Sequence, residues 1–322
     1  MDDSTVFRPP REPLVPPGGA DLHTRDMTAT FAADVTLGAA QEQLRGHNQW
    51  LPIDGDESAT LAQLIETNST GPLRLGYGAW RDLLLGTQFT NGRGELISAG
   101  GRTVKNVAGY DLTKFMVGGR GVFGKLVSVT TRTYRRPAGA LLARFAPDVG
   151  LVNRLMPTPL RPQWIVLTTD ALLSGYLGDD AAMEYYQARL SALSPREVAR
   201  ANLDEDVRRR AALWRAEGER TFRAAVPPAR LAEFVKALPS SGWVADAAFG
   251  VVIGGAGSET IGRSVREAAS GLGGTVQIFA RADRPSDAFD FSTNPVERRI
   301  IDRLKHAFDP ENRLTPLPWH NR

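Results

Sequence analysis

The sequence predicts an α+β protein of two domains, and three observations support that fold class. Residues 100–136 combine a short amphipathic helix, a glycine-rich turn and an alternating strand. The character of the chain changes over 137–162, where prolines are frequent and periodic apolar residues are few. From residue 163 onward, strand patterns and helix patterns alternate, as in a sheet with helices packed on one face. We therefore predict a domain boundary near Pro137, with domains over 1–136 and 137–322.

The composition is that of a globular protein and excludes several classes of function. The 322 residues are 42% hydrophobic and 23% charged, and a net charge of +3 gives no electrostatic footprint for nucleic acid. No run of about 18 apolar residues predicts a transmembrane helix, and the N-terminus lacks a signal-peptide pattern, so we expect a cytoplasmic protein. The chain has no cysteine, which excludes disulfides, thiolate zinc sites and a cysteine-held iron–sulfur cluster of its own.

The first elements follow from turn and capping signals. Residues 1–22 are predicted to form an extended arm that contains several prolines. Within it, Gly18-Gly19 indicates a turn, and the alternative is that these glycines are the remnant of a phosphate-binding loop. A strand is predicted over 27–35, and Thr36 can cap a helix over 37–46. Trp50 is expected to be buried, and a second helix is predicted to begin at 58–61. Two strands are predicted within 83–101, joined by an Asn-Gly turn.

The stretch 100–136 is the most informative part of the chain. Asp111 can cap a helix whose apolar residues follow at helical spacing, and Gly118-Gly119 can end it. Residues 125–134 alternate as a half-buried strand does. On these residues alone, the glycines at 118–124 serve either backbone geometry or a nucleotide site, and spacing does not decide between the two.

The second half is predicted as alternating strands and helices. Strands are expected over 163–169, 221–226, 243–253 and 275–280, and helices over 181–193, 195–216, 228–238, 261–271 and 296–308. In the helix predicted over 195–216, an acidic run at 204–206 is followed by a basic run at 208–210, which we interpret as a solvated helix face.

The sequence KNVAGYDLTK at 105–114 resembles the end of the FAD-binding domain of the vanillyl-alcohol oxidase and p-cresol methylhydroxylase superfamily, and is especially similar to glycolate oxidase E-type subunits. The likeness covers residues 25–136 well and the rest weakly. It implies an FAD-binding domain of the p-cresol methylhydroxylase (PCMH) type with a shortened first part. A mixed α/β cap domain would follow, with a C-terminal helix and tail that return to the flavin domain.

The resemblance also implies where FAD binds. In the family, a helix start and the loop after it line the pyrophosphate and the isoalloxazine, and helix N-termini suit phosphate because unpaired N–H groups point at it. The matching positions are Pro52, Ala59, Thr60, Asn68, Gly71, Arg74, Tyr77, Gly78, Gly109, Asp111, Gly124 and Leu126. The chain departs from the family at Ala62-Gln63, where the family has two glycines, and at Lys125, where it has an aliphatic residue.

No catalytic residue and no metal site is assigned. The four histidines form no close pair suited to zinc, and in flavin enzymes the cofactor supplies the chemistry while the protein supplies position and electrostatics.

The resemblance implies an FAD-binding subunit of a glycolate oxidase-type complex that takes part in oxidation of a small 2-hydroxy acid. It would be active only with a second flavoprotein subunit and an iron–sulfur subunit, and would reach the inner membrane only through them. The alternative is a degenerate structural subunit that no longer binds FAD and supports a partner flavoprotein. The departures at Ala62-Gln63 and Lys125 motivate that alternative.

Overall fold

The computed structural model describes residues 12–101, 111–218, 220–238, 242–281, 284–285 and 294–320. This part of the chain forms two compact units, and each is described by itself. The first unit takes in the described residues of 12–70, 78–136 and 294–320, and the second takes in those of 71–77 and 137–285. The C-terminal helix therefore clusters with the first unit.

The first unit is built on a five-stranded antiparallel sheet with the strand order β1-β2-β6-β4-β5. With elements numbered along the chain, its strands are β1 (Ala20–His23), β2 (Thr28–Ala32), β4 (Leu84–Thr90), β5 (Leu96–Gly100) and β6 (Lys125–Arg132). A separate ribbon pairs β3 (Gln49–Trp50) with β7 (Tyr134–Arg135). The helices are α1 (Leu37–Arg45), α2 (Leu61–Glu66), α4 (Trp80–Leu83), α5 (Leu112–Phe115) and α11 (Pro295–Phe308).

The predicted helix starts at Thr36 and Asp111 are confirmed. The Thr36 side chain accepts a hydrogen bond from the Ala39 N–H at 3.2 Å, and Asp111 accepts one from the Lys114 N–H at 3.1 Å. Each cap satisfies a donor that the first turn of a helix otherwise leaves without a partner. Trp50 is also buried as predicted, at 4% exposure.

The two faces of the five-stranded sheet differ in chemistry. One face contributes Phe31, Phe89 and Val129 to the apolar core of the unit. The opposite face carries buried polar side chains joined by three hydrogen bonds: Thr30 to Thr130 at 2.9 Å, Ser128 to Gln88 at 2.9 Å and Gln88 to Ser98 at 2.9 Å. Alternation along a strand produces both faces, because successive side chains point in opposite directions.

The second unit contains a nine-stranded antiparallel sheet with the order β11-β8-β10-β9-β13-β14-β12-β15-β16. Its strands are β8 (Gly139–Phe145), β9 (Trp164–Leu167), β10 (Leu172–Gly178), β11 (Glu197–Ala201), β12 (Thr221–Ala225), β13 (Trp243–Asp246), β14 (Val251–Gly255), β15 (Thr275–Arg281) and β16 (Arg284–Pro285). Its helices are α3 (Arg74–Tyr77), α6 (Val149–Leu155), α7 (Asp180–Leu190), α8 (Leu203–Leu213), α9 (Leu231–Lys236) and α10 (Glu259–Gly271), with short 3₁₀ turns at Ser191–Leu193 and Pro228–Arg230.

Two predictions for the second unit are wrong. The start of the helix predicted over 195–216 is strand β11, because pairing with β8 outweighs local helix propensity. The helix begins later, where Asn202 and Glu205 form a capping box. The single strand predicted over 243–253 is two strands, separated by a turn at Asp246–Gly250 in which Gly250 has a φ of 67°.

The prediction that the charged run at 204–210 forms a solvated helix face is also wrong in part. Asp206 and Arg210 are 4% and 2% exposed and form an ion pair one helical turn apart. The indole N–H of Trp164 donates to Asp206 at 3.0 Å. A buried charge needs such partners, and spacing alone does not reveal which of the charges has them.

A buried ion pair ties helix α3 to the sheet of the second unit. Arg74 Nε donates to Asp246 Oδ2 at 2.9 Å, and the two side chains are 17% and 1% exposed. The Arg74 guanidinium also lies 4.0 Å from the ring centroid of Phe249. Burial raises the pKa of Asp246 to about 6, and Arg74 with the amides of Ala248 and Phe249 opposes that rise. Burial likewise lowers the pKa of Arg223 to about 10, and the nearby charge of Arg74 acts in the same direction.

A second buried ion pair holds the C-terminal helix within the first unit. Lys305 Nζ donates to the Val122 carbonyl at 3.0 Å, to the Thr315 carbonyl at 2.9 Å and to Asp309 at 2.5 Å. Asp309 also accepts hydrogen bonds from the backbone amides that follow it, at 2.8 and 3.0 Å. Burial raises the pKa of Asp309, but Lys305 and these amides outweigh burial and leave it below its ordinary value. Lys305 therefore links helix α11, the tail and the glycine turn at 118–124.

Replacing Lys305 by methionine should destabilise the protein by about 3–5 kcal/mol, because Asp309 would stay buried without its cation. The measurement is urea unfolding followed by circular dichroism. The exposed Lys125→Met variant is the control and should change the unfolding free energy by less than about 0.5 kcal/mol. Equal losses in the two variants would contradict a stabilising role for the buried ammonium group.

Asp246 should make the folded protein less stable as pH rises, which is the opposite of the usual effect of a carboxyl group. Because its pKa is higher in the folded state than in the unfolded chain, its contribution falls as pH rises from about 4 to about 6. The unfolding free energy of the parent should therefore decline across that window relative to the Asp246→Asn variant. Asp170 has the opposite sign, since hydrogen bonding from Thr168 lowers its pKa. The Asp170→Asn variant is the control, and matching profiles for the two variants would contradict the assignment.

Candidate functional site

The end of helix α2 meets the glycine turn at 118–124. The Gly118 N–H donates to the Ile65 carbonyl at 2.9 Å, and the Arg120 N–H donates to the Glu66 carbonyl at 3.1 Å. Asn68 has a left-handed backbone with a φ of 50°, which asparagine tolerates better than most residues. A Cβ added at Gly118 would lie 3.7 Å from Asn68 Cβ. The structure thus brings predicted site residue Asn68 against the glycine turn.

Two ionisable side chains beside this turn are partly withdrawn from water. Burial raises the pKa of Glu66, and a hydrogen bond from the Leu126 amide opposes that rise. Burial lowers the pKa of Arg120. A ligand group placed here would interact strongly with both side chains, because electrostatic interactions strengthen where water is excluded.

Two predicted glycines have a structural explanation. A Cβ at Gly124 would lie 2.5 Å from the ring of Phe89, so this glycine allows β4 and β6 to pack. Gly78 has a φ of 90°, and a Cβ there would lie 2.6 Å from Cβ of Asp82, which caps helix α4 by accepting the Ala79 N–H at 2.8 Å. These constraints explain both glycines without a ligand, and their contact with FAD remains a prediction.

The N-terminus of α2, predicted to hold phosphate, has its N–H groups occupied. Thr60 and Gln63 form a capping box, with the Thr60 N–H donating to the Gln63 side chain at 2.9 Å and the Gln63 N–H to the Thr60 side chain at 3.2 Å. The amides of Leu61 and Ala62 donate to the carbonyls of Val35 and Ala33, each at 2.9 Å. This helix start therefore does not fit a phosphate group unless those hydrogen bonds break.

The remaining predicted site residues fall in several places. Within the first unit, Pro52 and Leu126 are buried, Ala59 is half-buried beside the α2 cap, and Asp111 caps α5. The contacts of Gly71, Arg74 and Tyr77 place them in the second unit, where Gly71 is buried and Arg74 pairs with Asp246. Gly109 lies outside the described residues, together with Lys105 and Asn106 of the motif.

The sequence reasoning missed a cavity of about 440 Å³ in the first unit. It lies where β2 begins and β6 runs into β7, and its lining includes Thr28, Leu85, Arg132, Tyr134 and Arg135. The sequence contains one indication of this cavity. Arg132 lies on the face of the strand at 125–134 that is opposite to the face carrying Val129 and Thr131. Among the residues that the structure describes, no group of three or more His, Cys, Asp or Glu side chains could hold a metal ion.

Comparison with known proteins agrees with this architecture. Residues 18–100 match the family model described as "FAD binding domain", and FAD is the cofactor of this domain class. The chain is 37% identical to glycolate oxidase subunit GlcE of Escherichia coli K12 over 122 residues, covering 37% of this chain and 35% of that protein. It is 35% identical to glycolate oxidase subunit GlcD of Bacillus subtilis 168 over 119 residues, covering 36% and 25%.

A solved alkyldihydroxyacetonephosphate synthase shares the fold, with a TM-score of 0.60, 13% sequence identity and coverage of 90% of this chain and 63% of that one. No helix in the described ranges has the length and apolar character needed to cross a membrane. The matched segments span about a third or less of the two glycolate oxidase relatives. The chain thus has an α+β fold in which residues 18–100 match an FAD binding domain, and over its first part it is similar to the glycolate oxidase component GlcE.

Proposed function

We propose that this chain is an FAD-binding subunit that takes part in flavin-mediated oxidation of a 2-hydroxy acid. The observation that carries the proposal is the match of residues 18–100 to the FAD-binding domain, within which α2 and Asn68 pack against the glycine turn. The similarity to two glycolate oxidase subunits and to D-lactate dehydrogenase of Archaeoglobus fulgidus, 33% identical over 115 residues, supports the substrate class.

The protein's part in this chemistry is binding and orientation. When bound, FAD would accept a hydride, that is two electrons and a proton, from the carbon that bears the hydroxyl group. The glycine turn is held from two sides, by the end of α2 and by Lys305, so its backbone is fixed before a ligand arrives. Such preorganisation lowers the ordering cost of binding.

The similarity to glycolate oxidase subunits suggests the partner subunits. Because the chain has no cysteine, an iron–sulfur centre that receives electrons from the flavin would have to be held by another subunit. We propose a second flavoprotein subunit and an iron–sulfur subunit as partners in a glycolate oxidase-type complex. Through them a cytoplasmic protein would work at the inner membrane.

A second candidate function is favoured by the state of helix α2. Its first-turn amides are hydrogen-bonded within the chain, and the family's two glycines are Ala62 and Gln63 here. A domain with a closed phosphate position can keep its fold and still serve as a structural subunit. In this alternative the chain supports a partner flavoprotein and retains no FAD.

The two proposed functions predict different flavin contents for the purified protein. Purified chain, alone or with its co-purified partners, should show a flavin absorbance band, and released flavin should be FAD in proportion to this chain. Added FAD should raise the melting temperature of protein stripped of flavin. Colourless protein with no thermal response to FAD, co-purified in equal amounts with a partner, would reject the first function and support the second.

Restoring the family's glycines tests the helix start directly. In the Ala62→Gly, Gln63→Gly variant the capping box is lost, so the unfolding free energy should fall by about 1–3 kcal/mol. If FAD reaches this helix start, the Thr60 N–H released from Gln63 and the closer backbone approach that glycine allows should tighten its binding about tenfold, measured by flavin fluorescence quenching. Exposed positions of helix α1 supply the matched control, Glu42→Gly with Gln43→Gly, which should lose comparable stability without any gain in affinity. A glycine variant that binds FAD no better than the control would remove the α2 start from the site.

A further inference from the structure

We propose that the outward face of helix α11 docks onto an acidic, partly apolar surface of the partner flavoprotein subunit. The inference rests on the partner named in the proposed function, and both candidate functions require that partner. It does not depend on whether this chain itself binds FAD.

The inner face of helix α11 is fully used by the first unit. Ile301, Leu304 and Phe308 pack against an apolar cluster of that unit. Lys305 is buried among its three acceptors, two of them backbone carbonyls. These contacts hold the helix in place before any partner arrives, which lowers the ordering cost of association.

The tail covers one flank of the same helix. The indole N–H of Trp319 donates to Asp302 at 2.9 Å, and the Arg298 guanidinium lies 5.1 Å from the centroid of the Trp319 ring. Two charges of the helix are therefore engaged by the tail. The face that points away from both the core and the tail is left for another molecule.

An aliphatic stripe runs along this outward face. Val296, Ile300 and Ala307 recur at helical spacing, and all three are exposed. Val296 and Ile300 are each 53% exposed. In the described part of the chain, they are the only exposed large apolar side chains that lie one helical turn apart. Single exposed apolar residues are ordinary, whereas neighbouring ones form a patch that a partner can cover.

Basic side chains border the aliphatic stripe. Arg299, Arg303 and His306 are exposed and follow one another at spacings of four and three residues. Neither arginine forms an ion pair within the described ranges. Like charges one turn apart repel each other along a helix. Carboxylates of an acidic partner would turn that repulsion into attraction, so the charge pattern selects an acidic surface.

The composition of this face favours a protein over the other possible occupants. Arginine beside buried apolar side chains is typical of protein–protein interfaces. Helices that bind a membrane surface use larger apolar residues such as Trp, Phe and Leu. A second copy of this chain would bring the basic side chains against their own copies, and like charges disfavour that pairing.

The first experiment measures association of the full chain with the GlcD-type flavoprotein subunit of the same organism by biolayer interferometry. Ile300→Asp should weaken association at least about tenfold, because the new carboxylate would be buried against an acidic surface. Leu193→Asp is the matched control, since Leu193 is an apolar side chain of the second unit with 37% exposure. The control should change the affinity by less than about twofold.

Charge reversal tests the basic border. The Arg299→Glu, Arg303→Glu variant should weaken association by roughly tenfold to a hundredfold at low salt, and the remaining affinity should depend less on salt than that of the parent. Arg208→Glu with Arg209→Glu is the matched control, because these exposed arginines of helix α8 give the same change of charge. This control should associate as the parent does.

Melting temperatures and circular dichroism separate loss of docking from loss of fold. All four variants change exposed side chains and should melt close to the parent. Ile300→Ser removes the apolar contact without adding a charge, and it replaces Ile300→Asp if the aspartate lowers the melting temperature. It should weaken association by roughly threefold to tenfold.

The outcomes distinguish this proposal from the proposed function. Parent-like association of the Ile300 and arginine variants would overturn the docking surface, while flavin content decides FAD binding separately. A colourless chain that associates through α11 would sustain the surface and reject FAD binding. If the parent binds vesicles of phosphatidylglycerol, and charge reversal abolishes that binding but not the complex, the face is a membrane surface and the proposal fails. Absence of any complex with the parent would overturn both the surface and the proposed partner.

Discussion

The buried ammonium group of Lys305 is the interaction on which the first unit depends. It joins three segments that are distant in sequence: the glycine turn through Val122, the end of helix α11 through Asp309, and the tail through Thr315. In the same unit, the aromatic rings of Phe115, Phe123 and Phe308 pack against one another with centroid separations of 4.6–6.2 Å. A charge buried at 2% exposure is tolerated only when its acceptors are fixed, so the same contact that stabilises the unit also holds the glycine turn rigid.

The rigid turn has a consequence for ligand binding. Its backbone is anchored to the end of α2 at Ile65 and Glu66, while the start of the same helix is closed by the Thr60–Gln63 capping box. The helix thus supports the turn at one end and has its first-turn amides satisfied at the other. A helix start without unpaired amides has lost the property that attracts phosphate.

Sequence reasoning captured local structure where the signal is local. The caps at Thr36 and Asp111, the hairpin between β4 and β5 and the amphipathic helix α11 all follow from short patterns with a clear physical basis. It failed at β11, where pairing with a distant strand overrode helix propensity. It also failed at Asp206 of helix α8, which is buried and accepts a hydrogen bond from Trp164 of strand β9. In the candidate site, it indicated Asn68, the glycine turn and the departure at Ala62-Gln63, but it overlooked the capping-box pattern by which Thr60 and Gln63 close the start of α2.

By itself, the sequence determined the α+β class, the start of most helices, the absence of cysteine chemistry and the resemblance to FAD-binding domains. These properties are set by residues near one another in the chain or by composition. Only the tertiary structure decided that Lys305 and Asp246 are buried in ion pairs, that Gly124 serves the packing of Phe89, and that Thr28 faces Arg132 across two strands. The physical reason is that burial, packing and strand register depend on contacts with segments distant in the chain, such as those of Lys305 with Val122 and of Arg74 with Asp246, which no local pattern encodes.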